Sequence, residues 1–155
     1  MAQKTFTEEV LTASDVNTYL MGEGGAWTSF TPSVVQSGAV TSTNTRSRYA
    51  RWGRRIEFTI DLAITGAGTA GASITVSLPV TAAASAQVCG QGFIFDNGSG
   101  NLPGLAYLST TTALVLLPTW LNTATGFMGT ASGGGSFALA SGDEITIWGS
   151  YEAAA

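Results

Sequence analysis

The chain has 155 residues, enough for one domain with a short appendage. Hydrophobic residues make up 45% and charged residues only 10%, a combination that excludes a disordered chain. The formal net charge of −4 excludes a general attraction to nucleic acid or to anionic lipid, so neither is expected as a partner.

The residue types also argue against catalysis. There is no histidine, the commonest general base and metal ligand, and Cys89 is the only cysteine. We therefore expect a protein that is not an enzyme and that needs no cofactor or metal. A carboxylate-only hydrolase using Asp61, Asp96 or Asp143 would need two of these groups at a set spacing in a cleft.

The hydropathy pattern indicates where the chain resides. No apolar run approaches the roughly 20 residues of a membrane-spanning helix, and the start shows no secretory signal, so synthesis in a cytoplasm without a membrane partner is expected. A folded surface with so few charges favours permanent self-association.

Residues 12–22 predict one short helix. Thr12 is a capping residue, Asp15 completes an acidic capping box, and Gly22 supplies a stop. Such a short helix is marginal alone in water, so we expect it to dock on a partner. Glycines at 22, 24 and 25 predict a hinge, which divides the chain into an arm, 1–25, and a domain, 26–155. The apolar residues at i, i+3 and i+4 are Val16, Tyr19 and Leu20.

From Trp27 onward the hydrophobic period changes to two. Apolar and polar side chains alternate in residues 56–64, 73–78 and 144–151, as they do in strands with one buried and one solvent-exposed face. Further strands are predicted at 27–36, 46–52, 86–95, 104–109, 113–119 and 135–140. Turn residues at 52–53, 96–98, 133–135 and 141–143 separate them. The pattern predicts an all-β domain, an antiparallel β-sandwich with a jelly-roll-like arrangement.

Residues 113–117 are apolar on both faces, unlike the other predicted strands. We expect the second face to contact another subunit, with Leu114 and Leu116 as contact residues. The alternative is a central strand covered by a loop of the same chain.

Five of the six basic residues fall within ten positions: Arg46, Arg48, Arg51, Arg54 and Arg55. One hypothesis is an anionic-ligand site, with Tyr49 and Trp52 stacking. The favoured one is a set of outward arginines that pair with acids of the same or a neighbouring chain, Glu57 and Asp61 being nearest. Trp148 is predicted to lie on the outward face of its strand, as a second contact residue.

Four other features predict structure rather than chemistry. Residues 66–71 match G-x-G-x-x-G, but a period-two strand follows where a dinucleotide site needs a helix, so a hairpin loop is predicted. Residues 96–101 predict a hairpin turn rather than a calcium loop. Asp143 and Glu144 predict a solvated turn, and Cys89 a buried small hydrophobe.

Residues 4–21, KTFTEEVLTASDVNTYLM, resemble the start of many tail and fibre-like proteins of tailed phages, with Glu8 where glycine is frequent. Residues 27–32, 48–54 and 77–80 are similar to minor tail proteins of such phages, especially those of actinobacterial hosts, and 140–152 to the last strand of trimeric jelly-roll heads. The resemblance implies a virion structural protein, made in the host cytoplasm and displayed as a homotrimer with an adhesive or stabilising role.

The same resemblance assigns a role to the arm. It would dock on major capsid or tail proteins through its apolar residues: Phe6, Val10, Leu11, Val16, Tyr19 and Leu20. Because the long repetitive shaft of a true fibre is missing, the alternative role is capsid decoration. A host surface glycan held by loops 66–72, 96–103 or 129–135 is a further expected partner.

Overall fold

The computed structural model describes residues 26–98, 100–121, 128–130 and 137–155. Within these residues the chain is all-β and contains no helix, so no described helix is long and apolar enough to cross a membrane. The prediction of an all-β antiparallel domain is confirmed. The predicted arm helix, 12–22, lies outside the described residues.

The described strands belong to one curled antiparallel sheet. In chain order they are β1 Thr28–Ser29, β2 Val34–Val35, β3 Ala39–Val40, β4 Ser42–Asn44, β5 Arg48–Trp52, β6 Arg55–Ile64, β7 Ile74–Ser77, β8 Gln87–Asp96, β9 Gly100–Leu108, β10 Ala113–Leu121, β11 Met128–Thr130 and β12 Glu144–Glu152.

Strand β6 supplies the centre of the core. Its alternate apolar side chains are at most 2% exposed, while Glu57, Thr59 and Asp61 lie on the other face. Burying one such side chain stabilises the fold by roughly 1.5–3 kcal/mol. Because successive residues of a strand point to opposite faces, the apolar residues of β6 all face the core. The buried side chains are Ile56, Phe58, Ile60, Leu62 and Ile64.

The strand order is β1-β5-β6-β12-β8-β9-β10-β7-β2-β3. The last strand of the chain, β12, lies between β6 and β8, so residues distant in sequence form the middle of the sheet. Its inward residues Ile145, Ile147 and Tyr151 join the core, as their alternation predicts. Residues 65–73 connect β6 to β7, which are not neighbours in the sheet. The segment 66–71 is therefore a crossover connection and not the predicted hairpin loop. A strand follows it, as predicted, and not a helix.

Residues 39–44 join the two ends of the curled sheet. Within this segment β3 pairs with β2, while β4 pairs with β6. Between them, the carbonyl oxygen of Thr41 accepts the amide protons of Thr65 and Gly66 at 2.9 and 3.1 Å. One extended segment thus bonds to both sides, and the inward faces of all these strands share one core.

Most predicted strands are observed within a few residues of their expected bounds. The prediction 27–36 is shortened to two dipeptide strands, because Pro32 lies between them and has no amide proton to donate. No strand occurs at 137–140, so the prediction 135–140 is wrong over its described part. The turns at 53 and 142 use glycines with φ of +59° and +98°, a region that other residues rarely adopt.

Two paired glycines bring β8 and β12 close together. Gly90 and Gly149 are cross-strand partners, and the β8–β9 register shifts at Cys89 beside them. A Cβ on Gly149 would collide with the carbonyl oxygen of Cys89, and one on Gly90 with that of Trp148. Hydrogen at both positions is therefore required for this pairing.

We expect Gly149→Ala to lower the free energy of unfolding by about 2 kcal/mol, because the backbone of β8 must move to admit the methyl group. Urea unfolding followed by tryptophan fluorescence measures the effect. Gly38→Ala is the matched control, since a Cβ there meets nothing within 4 Å. Equal midpoints for the two variants would contradict the close approach.

Candidate interaction surface

The outward face of the sheet carries the candidate site. Because directly paired residues of antiparallel strands share a face, the register defines a row across five strands: Arg48, Thr59, Trp148, Gln91 and Leu105. Trp148 lies at the middle of this row and is 41% exposed. Its predicted outward position is confirmed.

Large apolar side chains are exposed around Trp148. Leu105 follows two strands away in the same row, and Val88 lies at the irregular start of β8. Phe93 packs against Trp148 in an edge-on arrangement, with ring centroids 6.3 Å apart. The solvent-facing side of a sheet is usually polar, but around Trp148 it carries aromatic and aliphatic side chains. Such an exposed apolar patch is typical of a binding surface.

A groove with a volume of about 570 Å³ runs beside Trp148. Apolar walls come from Trp27, Val88, Leu105 and Trp148, and polar atoms from Arg55, Glu57, Gln91 and Ser150. The volume and the mixture of apolar walls with a few polar groups match those of small-ligand pockets.

Charge is distributed very unevenly over the fold. From Leu62 to Gly142 the only charged residue is Asp96. Apart from Asp96, strands β7 to β11 therefore contain no charge, whereas all five arginines lie on or directly beside β5 and β6, and four acids lie on β6 and β12. We call the outward faces of β8, β9 and β10 the uncharged face. Covering this face with an apolar partner surface would cost little desolvation free energy, because no ion would have to lose its water.

The arginine cluster is largely paired within the chain. Arg46 contacts Asp61 at 3.3 Å, and Arg55 contacts Glu57 at 3.1 Å. These are the acids that the sequence singled out as nearest, and both pairs form within the chain. The arginines remain more than half exposed, and such pairs contribute little to stability, about 0–1 kcal/mol each.

The remaining arginines have different partners. Arg54 contacts Glu152 at 3.2 Å, and the Nε of Arg51 donates to the carbonyl oxygen of Gly53. Arg48 lies over the Trp27 ring, its guanidinium carbon 4.8 Å from the ring centroid. This cation–π contact holds Trp27 near the groove. Contacts of these arginines with a second subunit stay a prediction.

Leu114 and Leu116 are not surface residues. They are 0% and 1% exposed and belong to the core of the chain itself. Their assignment as subunit contacts is corrected, because their side chains are already covered within the chain. The other face of β10 holds Ala113, Val115 and Leu117, which are partly exposed and cross-strand to β9. A contact through this strand would use that face.

The carboxylate of Asp143 is likewise not solvated. Asp143 is 2% exposed, and its two oxygens accept the amide protons of Asn97 at 3.1 Å and of Ala140 at 2.8 Å. It ties the β8–β9 turn to the turn before β12. The predicted solvated turn is therefore wrong for Asp143, although Glu144 is exposed as expected.

Cys89 and the acidic residues around Asp61 have different surroundings in the described part of the chain. Burial raises the pKa of Cys89 to about 11, so its thiol is protonated at neutral pH and the prediction of a buried small hydrophobe is confirmed. A hollow of about 430 Å³ beside Asp61 and Glu144 contains the Arg46–Asp61 pair. No group of three or more potential metal ligands occurs among the described residues.

Sequence reasoning missed part of the groove. It noted Trp27 without placing it, and it did not single out Val88, Gln91 or Leu105. Glycines at 90 and 92 occupy inward positions of β8, so the apolar alternation that reveals the outward residues elsewhere is absent there. The predicted docking residues of the arm lie outside the described residues.

Comparison with known proteins adds no relative. No protein-family model, curated protein or solved structure matches the chain.

Removing the Asp143 carboxylate should destabilise the domain. We expect Asp143→Ala to lower the free energy of unfolding by about 2–3 kcal/mol, because two amide groups lose their acceptor at a buried position. Glu144→Ala, its exposed neighbour, should change it by less than about 0.5 kcal/mol. Chemical unfolding of both variants measures this, and a solvated Asp143 would give two equal, small effects.

Proposed function

We propose that this chain is a structural protein of a tailed-phage particle, a minor tail or fibre-like protein displayed on the surface as a homotrimer with an adhesive or stabilising role. The observation that carries the self-association is the β10 side of the uncharged face, around Val115 and Tyr107. The phage assignment rests on the resemblance of residues 4–21 and 140–152 to such proteins.

The chemistry of the uncharged face supports a contact with copies of the same chain. Val115 pairs with Tyr107 on the β10 side of this face, away from Gln91 and Trp148 in the groove, and no lysine, arginine or glutamate lies on β8, β9 or β10. Obligate interfaces are enriched in such apolar surface and depleted in charge. Closed rotational symmetry would bring the same face of each subunit to the axis.

The proposal also includes the finer fold and the placement of the protein. A curled antiparallel sheet whose neighbouring strands are distant in sequence, such as β6 with β12, is compatible with a jelly-roll-like subunit. Synthesis takes place in the host cytoplasm. The arm then fixes the trimer to major capsid or tail proteins, the capsid alternative being a decoration protein.

Self-association is tested by mass. We expect multi-angle light scattering of the purified chain to give three times the monomer mass of 15.8 kDa. Val115→Glu should dissociate the trimer, because it buries a carboxylate at the proposed contact. Thr59→Glu, a β-branched position on the charged half of the same outward face, is the matched control and should leave the mass unchanged. A monomeric wild-type chain would overturn the trimer.

Docking is tested in the particle. We expect the full-length double variant Val16→Asp with Leu20→Asp to keep its oligomeric mass but to be absent from purified particles, since it removes the predicted apolar stripe. Asn17→Asp with Thr18→Asp adds the same charge off that stripe and should still be incorporated. Incorporation of both variants would refute the docking role. A density map of wild-type particles then places the chain on tail or shell.

A further inference from the structure

We propose that the groove beside Trp148 binds a neutral saccharide, with Trp148 as the stacking surface. This proposal gives a ligand class to the adhesive role proposed above. It rests on that proposed function only for where the saccharide would come from, namely the host surface. The site itself is argued from the groove residues alone.

The aromatic part of the groove is held in place from two sides. Phe93 packs edge-on against Trp148, and Arg48 lies over Trp27. Both tryptophans nevertheless stay more than 40% exposed. A side chain fixed by its neighbours loses little conformational entropy when it binds a ligand. The C–H faces of pyranose rings are apolar, and an exposed indole offers them a flat apolar partner.

The polar part of the groove suits hydroxyl groups. Gln91 is the cross-strand partner of Trp148, and Ser150 lies two residues along the same strand. Among the described residues, neither side chain has a hydrogen-bond partner. An amide both donates and accepts, as does a hydroxyl, so together they can bond to sugar hydroxyls in either sense.

The charges of the groove favour a neutral ligand. Its only cation and only anion among the lining residues are Arg55 and Glu57, which contact each other at 3.1 Å and cancel. The lining residues therefore carry no net charge, and the only cation described beside them is Arg48 over Trp27, so a nucleic acid or an acidic polymer would find little positive charge here. The lining thus combines aromatic walls, uncharged donors and acceptors, and an internally neutralised ion pair, in a volume of about 570 Å³ that admits a few sugar units.

Binding is tested by calorimetry on the full-length protein in its purified oligomeric form. The probes are cellohexaose, maltohexaose and chitohexaose, with hexagalacturonate as the acidic counterpart. We expect at least one neutral probe to bind with a Kd between about 10 μM and 1 mM, and the acidic probe to bind more weakly.

Variants locate the site. Trp148→Ala should raise the Kd of the neutral probe by about tenfold, and Gln91→Ala should raise it by about threefold. Trp148→Phe should retain part of the affinity. Trp52→Ala is the matched control, because Trp52 is 40% exposed but does not line the groove, and it should bind as the wild type does. Circular dichroism establishes that each variant folds; if Trp148→Ala does not, Trp148→Phe and Gln91→Ala decide.

Several outcomes would overturn the proposal: no neutral probe bound at about 10 mM, equal binding by wild type and the Trp148 and Gln91 variants, or preference for the acidic probe. Burial of Trp148 in the oligomer, seen as protection from acrylamide quenching that is lost in Val115→Glu, would assign the groove to a second copy of the chain instead. Because incorporation into particles does not enter these measurements, the saccharide site and the structural role can fail independently.

Discussion

Burial of the inward face of β6 is the constraint on which the rest of the fold depends. Its five alternate apolar side chains share one core with the inward residues of β7, β9, β10 and β12 and with Val40 of the segment 39–44, which pairs with strands on both sides of the sheet. With these five positions fixed inward, the pleat of the sheet leaves the residues between them no other face than the outward one. The same register carries Trp148 outward on β12, beside Thr59.

The close approach of β8 and β12 links the core to the surface. Gly90 and Gly149 allow the two backbones to meet where a side chain would collide, and Cys89 shifts the register next to them. The same two glycines line the groove beside Trp148, together with the large side chains of Val88, Leu105 and Trp148. The proposed binding site thus shares two residues with the close contact between β8 and β12.

The uneven distribution of charge gives the two halves of the outward face different properties. On and beside β5, β6 and β12, arginines and acids neutralise one another in pairs whose arginines are exposed to solvent, which keeps that half hydrated. On β8, β9 and β10 nothing comparable exists apart from Asp96. A contact that buries the second half desolvates no ion pair, so apolar association there is opposed by less free energy than on the first half. The saccharide groove lies at the boundary, where both kinds of side chain are within reach.

The sequence by itself determined the class of the fold and the inward faces of β6 and β12, because the alternation of Ile56 to Ile64 and of Ile145 to Tyr151 is a local, period-two property. It also indicated the acids nearest to Arg46 and Arg55. Only the tertiary structure decided which strands are neighbours, that Leu114 and Leu116 are core residues, and that Asp143 is buried beneath the turn at Asn97. These three features depend on pairings between residues far apart in the chain. Which distant strands pair, and in which register, is not encoded in any local sequence pattern. The groove beside Trp148 belongs to this second class, since β6, β8, β9 and β12 each contribute residues and no single segment contains it.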